Sequence, residues 1–98
     1  YGAGHPRGAL LIELAEAQGA RSESAKSAFA LLSAMKRGGH PAPTLDAGLV
    51  TLCHCLELPA GSAASIFAIG RSAGWVAHAL EQRAAGYLLR PRARYVGA

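Results

Sequence analysis

Val, Ile and Thr together supply only eight residues of this chain, while Ala supplies 22. Pleated sheets favour β-branched side chains, so eight cannot furnish several strands, whereas Ala and the recurrent Leu clusters are strong helix formers. The expectation is an all-α fold with no sheet. Ninety-eight residues suffice for one compact domain and are too few for two. Twelve Gly and five Pro raise the possibility of a linker-like chain, but the apolar content of 51% exceeds what disordered segments carry.

Charge is distributed unevenly. Residues 1–82 hold six Lys/Arg and six Asp/Glu, so the net +4 comes entirely from Arg83, Arg90, Arg92 and Arg94. A neutral body with spaced arginines in its tail fits discrete anionic partners at least as well as a polyanion, and no nucleic-acid role is expected. Cys53 and Cys55 fall in a helical segment, where residues two apart point about 200° away from each other. They cannot easily bridge, and adjacent Cys-His-Cys side chains on a helix do not converge on one metal ion. No apolar run reaches the roughly 20 residues of a membrane span, and no signal peptide precedes the first helix. A reducing, cytoplasmic setting is expected, away from the membrane. The chain starts at Tyr1 inside a glycine loop, which reads as the beginning of a fragment.

Periodicity predicts a first helix over 7–18 with Leu10, Leu11, Leu14 and Ala17 on one face, stopped by Gly19. A second, capped by Ser22 or Ser24, runs to Arg37 with Ala25, Ala28, Phe29, Leu32 and Met35 at three-and-four spacing. After Gly38–Pro43, Thr44 caps a third helix on which Leu45, Leu49, Leu52 and Leu56 repeat, ended by Pro59 and Gly61. Gly70 and Gly74, each costing about 1 kcal/mol in a helix, divide the remaining run into helices 62–70 and 73–84 with Arg71 at the break. Pro91 disfavours helical geometry at Arg90, so the tail is extended.

Five positions invite chemistry. His5, between glycine turns and Pro6, could project into a cleft, while composition alone favours a surface histidine on a frayed terminus. Asp46, the only aspartate, is either a helix-start carboxylate favoured by the dipole or, if a cleft desolvates it, a general base. Arg71 at a glycine-flanked break suits paired hydrogen bonds to a carboxylate, with a solvated arginine as the plain alternative. Trp75 and His78, one turn apart, read as core packing with a satisfied imidazole.

These residues also form a pattern. Asp46 within Pro43-Thr-Leu-Asp46, then Phe67-Ala-Ile-Gly-Arg71, Gly74-Trp-Val-Ala-His78, Glu81-Gln82-Arg83 and Leu89-Arg-Pro-Arg-Ala-Arg-Tyr-Val-Gly97 closely resemble the C-terminal part of citrate synthases. The resemblance spans about Thr44 to Ala98. The family's Gly-x-Gly-His loop looks like Gly2-Ala-Gly-His5, and its usual Pro-Asn-Val-Asp is here Pro-Thr-Leu-Asp.

The resemblance implies a citrate-synthase-like helical small domain, with an extended basic C-terminal tail, that closes on a larger domain in a homodimer. Residues 1–72 would belong to the small domain, and 73–98 would form a helix and tail packed on the large domain or partner subunit. It implies an acyltransferase reaction of the tricarboxylic acid cycle, condensing acetyl-CoA with oxaloacetate to give citrate and CoA. No permanently bound cofactor is implied, with acetyl-CoA serving as substrate. By motif, Asp46 matches the base and His5 the histidine that polarises the oxaloacetate carbonyl. Arg71 matches a carboxylate-binding arginine and Arg90 the tail arginine that reaches the neighbouring subunit's site. The family's loop continues from Gly-His to an Asp-Pro-Arg; here Pro6-Arg7 follows His5 directly, leaving Arg7 as the counterpart of that arginine. The family's other catalytic histidine lies upstream of the residues present, so these 98 are expected not to turn over alone. A citryl-CoA lyase, a 2-methylcitrate synthase and a non-catalytic interaction module are the alternative readings.

Overall fold

The computed structural model describes residues 5–87 and 96. Four helices follow one another, α1 (Pro6–Gln18), α2 (Glu23–Arg37), α3 (Leu45–Cys55) and α4 (Ser62–Ala85), with no strand among the described residues. The fold is all-α, as the shortage of β-branched residues requires. The basic tail, with Arg90, Arg92 and Arg94, lies outside the described residues. No described helix is long and apolar enough to cross a membrane.

Local chemistry sets most boundaries. Pro6 opens α1, where its missing N–H costs nothing because the first N–H groups of a helix have no intrahelical acceptor. Gly19 closes it at φ 78°, its N–H bonding back to the Ala15 and Glu16 carbonyls. Ser22, rather than Ser24, caps α2 by accepting the Ala25 N–H at 3.1 Å. Thr44 caps α3 by accepting the Ala47 N–H at 3.3 Å.

Two boundaries differ from the sequence expectation. The third helix ends at Cys55, before Pro59 is reached, because Glu57 takes a left-handed φ of 53°. There the Leu58 N–H returns to the Cys53 carbonyl and the Glu57 N–H to the His54 carbonyl, at 3.0 and 3.2 Å. This is the Schellman stop, normally signalled by glycine but here built on glutamate. Leu56 consequently becomes a cap residue and is exposed instead of extending the leucine face. The expected break at Arg71 is absent: α4 runs unbroken for 24 residues through Gly70 and Gly74. Glycine weakens a helix without removing a hydrogen-bond donor, and the Ala, Leu, Glu, Gln and Arg residues around these two sustain it.

The chain divides into two compact units, Tyr1–Ile66 and Phe67–Ala98. Within the first, α3 is the central element, packed by α1 and α2, and buries Gly48, Leu49, Thr51, Cys53 and Cys55. Its two cysteines are both free and both buried although they point apart, since α3 has neighbours on more than one side. Ala15, Ala25 and Cys55 form the inner cluster, with Ala20, Phe29 and Leu52 packed around them. Small residues also decide the α1 contact. Its buried positions are Gly8 and Ala15, whereas Leu10 and Leu14 of the leucine face are 55% and 46% exposed. The Thr51 hydroxyl, buried on α3, is satisfied by the Ala47 carbonyl at 2.8 Å. Of α4, which crosses from the first unit into the second, no residue is buried.

Candidate functional site

The starting ends of α1 and α3 come together in the first unit. A methyl placed on Gly48 would stand 2.7 Å from the Gly8 carbonyl oxygen and 3.0 Å from the Leu11 Cβ. One placed on Gly8 would stand 2.7 Å from the Thr44 carbonyl oxygen. The two backbones therefore touch at a distance no side chain could share. His5 lies three residues before Gly8 and Asp46 two before Gly48. Chain geometry then holds the His5 and Asp46 Cα atoms within about 16 Å.

His5 is the N-cap of α1, with extended backbone at φ −97° and ψ 118°, and its carbonyl accepts the Gly8 and Ala9 N–H groups at 2.8 and 3.2 Å. The residue is half-buried. Asp46 occupies the second position of α3, exposed, where the helix dipole favours the carboxylate. Arg7 is exposed in the first turn of α1, next to His5. A cation there opposes the dipole of its own helix.

The remaining expected residues belong to the second unit or lie outside the described residues. Arg71 belongs to the second unit, exposed midway along α4, its guanidinium lying alongside Gly74: a methyl on Gly74 would stand 3.1 Å from Nη1. Arg90 lies outside the described residues. Trp75 and His78 do not pack in a core. Trp75 is 51% exposed, and His78 is exposed with Nδ1 3.2 Å from the Glu81 carboxylate. The imidazole is satisfied, but on the surface, no residue of α4 being buried. Burial pushes both the Cys53 and Cys55 thiols above their ordinary pKa, which keeps them protonated and poorly nucleophilic.

Sequence reasoning missed Gly8 and Gly48. A signal was available: each is a glycine inside a helix, where it weakens the helix unless some close approach requires it.

The family model described as citrate synthase, C-terminal domain, matches residues 1–92. Among curated proteins, the chain is 41% identical over 56 residues to a citrate synthase of Haloferax volcanii, a match covering 57% of this chain and 15% of that protein. It is 51% identical over 41 residues to a putative citrate synthase 2 of Mycobacterium tuberculosis, covering 42% and 11%. It is 40% identical over 55 residues to citrate synthase 2 of Bacillus subtilis, covering 56% and 15%. The matched stretches thus amount to about one-seventh of these relatives' length or less. No solved structure matches the chain.

Proposed function

The chain belongs to the citrate synthase family through its C-terminal domain, and from that premise we propose that its residues supply one side of a site condensing acetyl-CoA with oxaloacetate. Asp46 takes a proton from the methyl group of acetyl-CoA. The enol carbon attacks the ketone carbon of oxaloacetate, forming the new C–C bond, and His5 donates a hydrogen bond to the oxygen on which negative charge develops. Water then cleaves the thioester, releasing citrate and CoA. Arg71 binds a carboxylate of oxaloacetate through paired hydrogen bonds, and Arg90 reaches into the site of a second subunit in a homodimer. Arg7, beside His5 at a helix start, adds positive potential for the anionic substrates.

The observation that supports this reading most is the family match over residues 1–92, an interval containing all five of these positions. The physical arrangement agrees. A carboxylate and an imidazole stand at two helix starts in contact, where N–H groups and an out-of-place arginine favour anions. The 98 residues contribute one set of groups to this reaction and are proposed not to carry it out alone.

The test is Asp46→Asn in the full natural protein that carries this sequence. Turnover should fall by about 10²-fold or more, with oxaloacetate binding preserved. Turnover near the parental rate would remove Asp46 as the base. Parallel assays with propionyl-CoA, and of citryl-CoA cleavage, distinguish acetyl-CoA condensation from its 2-methylcitrate and lyase counterparts.

A further inference from the structure

Gly8, Gly48 and Gly70, three of the four glycines within the described helices, have quite different surroundings. A methyl on Gly70 of α4 would meet nothing within 4 Å. Methyls on Gly8 and Gly48 would each collide with the other helix or the turn leading into it. The Gly8 methyl would stand 2.7 Å from the Thr44 carbonyl oxygen and 2.9 Å from that of Pro43; the Gly48 methyl would stand 2.7 Å from the Gly8 carbonyl oxygen and 3.3 Å from its Cα. These obstacles are backbone atoms, which cannot rotate aside as a flexible side-chain end would.

The contact is reciprocal. Gly48 admits the backbone of α1, and Gly8 admits the turn that starts α3. Each partner is also tied rigidly to one of the proposed reacting groups. The Gly8 N–H is bonded to the His5 carbonyl at 2.8 Å, so a shift of Gly8 moves the His5 backbone with it. Thr44, whose carbonyl meets Gly8, accepts the Gly48 N–H through that same carbonyl at 3.2 Å. Its hydroxyl accepts the Ala47 N–H, fixing the turn that carries Asp46. A change of a few tenths of an ångström at this crossing is therefore passed to His5 and Asp46 in opposite directions.

We infer that Gly8 and Gly48 are positioning residues which set the separation of the His5 imidazole from the Asp46 carboxylate. This rests on the proposed condensation and adds to it the element that fixes its geometry. Proton removal and carbonyl polarisation must meet on two substrates at once, and a displacement of about 1 Å at such a centre can cost about 10²-fold in rate. Substrate affinity depends less on this separation, because carboxylate binding is assigned to Arg71.

The experiment compares Gly48→Ala and Gly8→Ala with Ser22→Ala, Asp46→Asn and the parent, all in the full natural protein. Ser22 caps α2 and bonds to the far end of α3, so its loss lowers the melting temperature without touching the crossing. Folded Gly48→Ala and Gly8→Ala proteins should show kcat reduced by about tenfold to a hundredfold with oxaloacetate KM changed by less than about threefold. Ser22→Ala should keep its kcat. A parental kcat in both glycine variants beside an inactive Asp46→Asn overturns the inference and leaves the condensation reading intact; a parental kcat in Asp46→Asn overturns both. An equal loss of kcat in Ser22→Ala assigns the glycine effect to general destabilisation and also overturns it. Should neither glycine variant fold, glycine-labelled parental protein provides the check: the absence of a nuclear Overhauser contact between the Gly8 and Gly48 α-protons overturns the inference.

Discussion

The Ser22 hydroxyl lies 3.3 Å from the His54 carbonyl oxygen, thirty-two positions further along the chain. The Ser22 Oγ donates to that carbonyl and itself accepts the Ala25 N–H, so one small side chain caps α2 and satisfies a carbonyl in the last turn of α3. Ser22→Ala should destabilise the protein by about 1–2 kcal/mol, combining a lost cap with a lost tertiary hydrogen bond. Ser22→Thr should retain most of the parental stability. Urea denaturation measures both, and an unchanged midpoint for Ser22→Ala would show that the link carries no weight.

Glu57 ends α3 in the left-handed region, at φ 53°, a conformation in which any Cβ crowds the neighbouring carbonyl. Glu57→Gly should therefore stabilise the fold by about 0.5–1 kcal/mol, the relief of strain outweighing the extra freedom glycine gives the unfolded chain. A lower denaturation midpoint in this variant would contradict the strain assigned to the turn.

Gly74 leaves room for the Arg71 guanidinium along α4. Gly74→Ala should improve the helix by up to about 1 kcal/mol, since only the end of a flexible side chain has to move. It should also shift Nη1 off its resting place. On the proposed function, KM for oxaloacetate then rises by about threefold to tenfold while kcat changes less. An unaltered KM would separate Arg71 from carboxylate binding.

The buried thiols bear on alkaline stability. Desolvation raises both pKa values above the ordinary 9.0, so the folded chain holds these protons more tightly than the unfolded chain does. Their contribution is fully present below the unfolded-state pKa and declines as pH rises through it and beyond. The urea midpoint should accordingly be steady around neutrality and drop on the alkaline side. A Cys53→Ala/Cys55→Ala variant should lose that part of the slope, and an identical slope in variant and parent would refute the assignment.

Much of the fold was legible in local chemistry. Ser22, Thr44, Pro6 and Gly19 are start and stop signals that act through their own hydrogen-bonding or φ preferences, and the helices begin or end where these residues direct. Misreadings arose where a signal was missing or weak. Glu57 adopts the conformation expected of glycine, so α3 stops without announcing it. Gly70 and Gly74 announce a break that does not occur, because a cost of about 1 kcal/mol is small beside the propagation of a long Ala-rich helix. Thr44 replaces the asparagine usual in the resembled motif and still caps α3, since either side chain offers an oxygen to the same N–H groups.

By itself, then, the amino-acid order determined that the chain is helical, where most of its helices start, and which family it resembles. These follow from spacing, propensity and motif, which operate within a few positions. The α1–α3 contact was decided only by tertiary structure: Gly8 and Gly48 meet across forty positions because neither has a side chain to hold the backbones apart, while Leu10 and Leu14 of α1 stay exposed. Close approach is a property of two surfaces at once, and a glycine considered alone does not say which backbone it is leaving room for.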